Sequence, residues 1–226
     1  MKNKYRTIAI WILAALSPIL CAIAFPFLPD QIPMHWAIDG SVTHQGKGTL
    51  FFLALLSPLL AAMFFALPKI DPKKDNYARF SKYYSLFGIF LMSFLLIANL
   101  IVLSESFFPG RISVGMVVQI LVGALFLFLG NIMPKVKSNF FMGVKNPWTL
   151  SNTDIWNRTH RLAGFLMFIM GLIIILTCFW LPPAFSMWLI VGMGTMLVVL
   201  PTVLSYIWYR KLLKSLSGNE NEEEEK

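Results

Sequence analysis

Charge is what this sequence has least of. Of its 226 residues only 13% are Asp, Glu, Lys or Arg, while 57% are hydrophobic; an average soluble domain carries roughly 25% charged residues. A soluble protein of this length needs charge over its surface, so the deficit excludes an ordinary water-soluble domain. Cysteine is also scarce. Cys21 and Cys178 both sit in apolar runs without a CxxC neighbour or metal-ligand spacing, which leaves them as packing or lipid-facing residues. Leu20, where a lipoprotein signal needs a small residue, excludes Cys21 as a lipidation site. The sequence has no His-Glu-x-x-His, no Gly-x-Ser-x-Gly, no P-loop and no acidic pair inside its apolar runs. Intramembrane proteolysis by paired aspartates is thereby excluded, and neither enzymatic activity nor a cofactor is expected.

What fills the chain instead is long uncharged apolar runs: Thr7–Leu28, Leu50–Leu67, Tyr83–Leu103, Ile112–Met133, Leu162–Leu181 and Ala184–Trp208. Each approaches the ~20 residues that an α-helix needs to cross the hydrocarbon core. A charge at the bilayer centre costs ~3 kcal/mol or more, and none of the 11 acidic and 19 basic residues falls within these runs. The fold class is therefore all-α: a polytopic integral membrane protein with six transmembrane helices.

The connecting segments alternate in charge. The N-terminus, the second and fourth loops and the tail hold 17 basic residues, whereas the other three loops hold only Lys47 and Arg111. The positive-inside rule places the heavily basic side, with both termini, in the cytoplasm; five or seven spans would break the alternation. The first run continues past Ala22-Ile23-Ala24 through Phe25-Pro26-Phe27-Leu28, too long for a signal-peptide core, so it is expected to be retained as a span. Tyr5, Trp36, Tyr83, Tyr84, Trp180, Trp188, Trp208 and Tyr209 gather near the run boundaries, where amphipathic rings prefer the headgroup level. Pro18, Pro58 and Pro201 lie within runs and are expected to kink them. The organisation expected is a three-span region 1–110 with an outward loop 29–49, a second three-span region 111–210 with a cytoplasmic segment 134–161, and an acidic disordered tail 211–226.

Two hydrophilic segments carry the candidate residues. In the outward loop Asp39-Gly40 reads as a turn, and Trp36 is placed to pack at the membrane surface. His35, His44, Asp30 and Asp39 are types that suit zinc, but no fixed spacing supports a metal site and none is assigned. In the cytoplasmic segment Pro147 disfavours helix at Asn146. Ser151 and Asp154 match a capping box for a helix running into the fifth span. Asp154 and Arg158 have i,i+4 spacing for an ion pair, and Trp156 and His160 have it for stacking; Trp148 is expected at headgroup level. The segment reads either as an interfacial helix with snorkelling bases or as a recognition surface. Glycines at i,i+7 (Gly123 and Gly130; Gly164 and Gly171) predict close packing of the fourth span against the fifth. Gln119 and Asn131 are expected to face the bundle and hydrogen-bond there, with Asn99 similar in the third span.

The stretch Gly130-Asn131-Ile132-Met133-Pro134-Lys135, with Asn139–Leu150 and Trp156–Gly164, resembles the SdpI immunity-protein family. Its most specific parts are Pro147-Trp148-Thr149-Leu150 and Trp156-x-x-Thr159-His160. Ile32-Pro33-Met34-His35-Trp36, with Gly40 and Lys47, resembles a small domain of unknown function often fused before it. One departure is Lys145-Asn146 before the Pro-Trp, where the family usually has Arg-Thr; lysine keeps the charge and loses the planar fork.

The resemblance implies a bacterial multi-pass cell-membrane protein that gives immunity to a secreted antimicrobial peptide, with signalling by an ArsR-type repressor held at the inner face. No direct binding of nucleic acid is expected. Asn131, Asn139, Gly143, Lys145, Pro147, Trp148, Thr149, Trp156, Thr159 and His160 would then be the partner or relay residues, and Pro33, His35, Trp36 and Gly40 the outward ones. The alternatives are a small-molecule or lipid transporter, with a polar path built from Asn99, Gln119 and Asn131, and a non-catalytic membrane scaffold. Ligand, partner and oligomeric state are not legible from the sequence.

Overall fold

The computed structural model describes residues 2–37 and 39–224. Six helices are long and apolar enough to cross a membrane. They are α1 (Lys2–Ala24), α2 (Leu50–Ile70), α3 (Asn76–Phe107), α4 (Val114–Ile132), α6 (Thr153–Thr177) and α7 (Pro183–Glu224), with a one-turn helix α5 (Pro147–Ser151) before α6. Backbone groups in hydrocarbon must be satisfied within their own segment, which is why the uncharged runs are helical except at their ends. Pro18, Pro58, Pro68 and Pro201 all lie inside helices. Among the described residues the break in helical geometry falls at Phe80 in α3 (φ −130°, ψ 20°), not at a proline. Phe52, Leu59, Phe165, Trp188 and Val198 stay exposed, the arrangement that lipid, not water, rewards.

The outward loop is not a loop. Strands β1 (Gln31–Trp36) and β2 (Val42–Gly46) form an antiparallel hairpin with an irregularity between Pro33 and His35. Its turn closes at Gly40, whose φ of 86° suits glycine; Gly40 N donates to Ala37 O, and Ser41 N to Asp39 Oδ1. One face of the hairpin is apolar and seats Ile32 (0% exposed) with Cys21, Leu28, Leu50, Ala54, Val102 and Leu103. The burial of these neighbours holds a short strand pair that would be marginal alone.

Helices α1, α2 and α3 pack around Ile10, Ala14, Ala61, Phe64 and Met92. Asn99 is buried among them: its amide donates to Ser17 Oγ (2.6 Å), and Cys21 Sγ lies 3.6 Å from its carbonyl oxygen. Asn99 is the interhelical tie expected of it. In the other half, α4 lies along α6 on the glycine stripes. An added Cβ at Gly130 would stand 2.5 Å from Phe168 N and 2.7 Å from Gly164 O, and one at Gly171 2.6 Å from Gly123 O. Gln119 completes the seam by donating to Ile174 O at 3.0 Å. Helix α7 flanks α6 at the margin of the bundle. Its bounds, Pro183–Glu224, run into the segment 211–226 expected as an acidic tail. Leucine, lysine and glutamate there are strong helix formers that extend an existing helix at little cost. Residues 225–226 of that tail lie outside the described residues.

Candidate functional site

The segment between α4 and α6 is folded into a buried polar knot. After the turn Met133–Lys135 the chain crosses beneath the start of α3, where Val136 and Trp156 pack with Tyr77 and Phe80. Trp156 Nε1 donates to Val136 O at 2.9 Å. Asn139, 0% exposed, organises the next turn: its carbonyl oxygen accepts from Phe141 N and Met142 N, and its amide donates to Lys137 O and Met142 O.

His160 sits on the far side of this turn, stacked on Trp156 with ring centroids 3.9 Å apart. Its Nδ1 lies 2.8 Å from Trp156 O, and its Nε2 accepts from Val144 N at 3.2 Å. That pairing requires the neutral imidazole with its proton on Nδ1. Gly143 makes the approach possible. Its φ is 117°, and a Cβ there would collide with His160 Nε2. Thr149 and Thr159 are buried as well, Thr149 bonding to Val144 O and Asn146, and Thr159 to Ile155 O.

The connection between α2 and α3, not singled out in the sequence, anchors the knot to the first half of the molecule. Asp71, 2% exposed, accepts from Lys73 N (2.7 Å), Tyr77 Oη (2.9 Å) and Phe140 N (2.9 Å). Lys73 Nζ donates to Ser138 Oγ and Leu150 O, and Asn76 Nδ2 to Ser138 O. The one signal available for Asp71 was that it is one of two acids, with Asp75, in a mostly basic loop.

Several expectations are corrected. Ser151 does not cap α6: it ends α5, and its hydroxyl donates back to Trp148 O. The cap is Asn152, whose side chain accepts from Asp154 N and Ile155 N, a role asparagine fills as well as serine. A second cap at Asn146, reciprocal with Thr149, starts α5. Among the described residues the ion pair formed is Lys47–Asp30 at 3.2 Å, not Asp154–Arg158. Trp148 Nε1 donates to Ser205 Oγ of α7 at 2.6 Å, and its ring meets Tyr206 edge-on. Asn131 is exposed and does not join the bundle, because it follows Gly130 by one residue and so points about 100° away from the α6 seam. Asn99, Gln119 and Asn131 thus occupy the first half, the α4–α6 seam and the outer surface, and form no common polar path. Of the residues singled out here, Asn139, Thr149, Trp156, Thr159 and His160 are buried, while Lys145, Pro147 and Asn131 are exposed. Lys145 Nζ bonds to Phe140 O and Phe141 O beneath it.

At the opposite end, Pro33 pairs with His44, His35 with Thr43, and Trp36 with Val42. Among the described residues no group of three or more His, Cys, Asp or Glu gathers as a metal site. Glu105, at the end of α3, accepts from Gly110 N and Ile112 N. Hydrogen bonds from Ser41 hold the Asp39 carboxyl below its ordinary range.

The sequence model of the SdpI/YfhL protein family matches residues 135–205, the stretch that holds the knot, α6 and the α7 partner of Trp148. That of a domain of unknown function, DUF1648, matches residues 12–61, from α1 through the hairpin and into α2. Immunity protein SdpI of Bacillus subtilis (strain 168) is 22% identical over 201 residues, which cover 89% of this chain and 94% of that protein. No solved structure matches. Both resemblances read from the sequence are therefore borne out, and the chain is an SdpI-like, multi-pass cell-membrane protein.

Proposed function

We propose that this protein confers immunity to a secreted antimicrobial peptide, with its hairpin end outside the cell and its polar knot at the cytoplasmic face. The observation that carries the reading is its similarity, over 89% of the chain, to an immunity protein. The orientation follows from the basic residues, which crowd the knot end and leave the hairpin end with Lys47 and Arg111. The test is expression in a peptide-sensitive strain challenged with the peptides that the source cell secretes. Survival should rise against at least one of them, and unchanged killing by all would reject immunity.

Signalling through a repressor, if the protein performs it, uses the exposed part of the knot. Buried residues such as His160 and Asn139 cannot touch a partner, so the contact surface comprises Lys145, Pro147 and the partly exposed rings of Phe140 and Phe141. Lys145→Glu reverses the charge of that surface without disturbing a buried bond. It should abolish co-purification of a DNA-binding partner from native membranes while leaving peptide resistance intact.

A further inference from the structure

The hairpin end contains a cavity of about 870 Å3, within the size range of ligand sites. Its walls are Val118 and Val122 of α4 and Met187 and Ile190 of α7; its roof is the hairpin face carrying Pro33, Val42 and His44. Ser186, on the same wall and 2% exposed, has a hydroxyl with no hydrogen-bond partner among the described residues. Buried hydroxyls are rarely left so, and this one lies in the shell of the cavity.

The strand beside the cavity, paired with β1 along one edge, has no partner strand along its other edge among the described residues. All five residues of β2 are exposed. His44 faces Pro33, which has no N–H to offer, and Lys47 N bonds to Asp30 O while Ala37 N bonds to Ser41 O. This alternation turns the N–H and C=O of His44 and Val42 away from β1, onto the outer edge. The hairpin end is also where acid exceeds base. Asp30, Asp39 and Glu105 stand against Lys47 and Arg111, and Lys47 is already spent on Asp30.

We propose that β2 accepts a third strand from an extended peptide, bonding its main chain to Val42 and His44 and dropping alternate apolar side chains into the cavity. Strand addition of this kind takes affinity from the backbone and specificity from pockets for every second side chain. The peptide's other face is basic, matching the acid excess. The proposal rests on the reading that this end meets a peptide.

The test uses the full chain in lipid nanodiscs and a fluorescent synthetic hexapeptide of alternating valine and lysine. Saturable binding is expected. N-methylating its alternate amides should weaken it at least tenfold, and so should His44→Pro, which removes an N–H that β1 does not use. Val118→Trp, which adds bulk at the exposed α4 wall of the cavity, should weaken it as well, whereas Gln45→Ala should not. Equal binding by the N-methylated peptide would overturn the strand, and so would displacement by dodecylamine with no effect of His44→Pro, which assigns the cavity to an amphiphile. Cells protected by a protein that does not bind the hexapeptide overturn this site and leave immunity standing. Binding with the expected variant pattern in a protein that protects no cell supports the site and rejects immunity.

Discussion

His160 is held from both ring nitrogens, and Gly143 leaves it the room. A methyl group at Gly143 would both meet Nε2 and force an L side chain into positive φ. Gly143→Ala should therefore destabilise the protein by about 1–3 kcal/mol, read as a lower midpoint of thermal unfolding in detergent. Asp71→Asn keeps the shape but turns one of the two carboxylate oxygens, which together accept three bonds, into a donor. It should cost about 1–3 kcal/mol by leaving a buried N–H unsatisfied, and weaken protection of Lys145 from modification by lysine reagents as the Phe140 turn loosens. At this scale the sequence was partly legible. The spacing of Trp156 and His160 foretold their stacking, because both lie on one helix. Asp71 could not be found that way, since its partner Phe140 is 69 residues distant. Ser151 misled because Asn152, its neighbour, is an equally good cap and only the backbone decides which is used.

Helix α4 lies on α6 because four glycines put backbone against backbone. Gly130→Val inserts a side chain where Phe168 N is already 2.5 Å from an added Cβ. It should part the two helices and sharply lower the yield of folded protein from membranes, as measured by size exclusion in detergent. Gly194→Ala in α7, where an added Cβ meets nothing within 4 Å, should leave that yield unchanged. The glycine repeat was readable from the sequence, as an i,i+7 stripe is a property of one helix. The hairpin was not. Gln31–Trp36 contains a proline, and its apolar positions become meaningful only when α1, α2 and α3 supply the pocket for Ile32.

Across the whole molecule, the side chains at the two ends carry opposite charge excess, and the membrane is expected to read that difference. A cysteine replacing Asp39 should react with a membrane-impermeant maleimide in intact cells. One replacing Lys145 should react only after permeabilisation, both in a Cys178→Ser background. Labelling of the Lys145 position in intact cells, with the Asp39 position reacting only after permeabilisation, would reverse the orientation and remove the proposed inner docking surface with it.

The sequence by itself determined the number of spans and their places, because exclusion of charge from hydrocarbon and internal satisfaction of the backbone act on each segment separately. Only the tertiary structure decided which polar residues are structural ties and which face outward. Asn139, His160 and Asp71 are buried, Lys145 and Asn131 are not, and Ser186 borders a cavity. Those outcomes depend on partners brought together from distant parts of the chain, which no local pattern encodes.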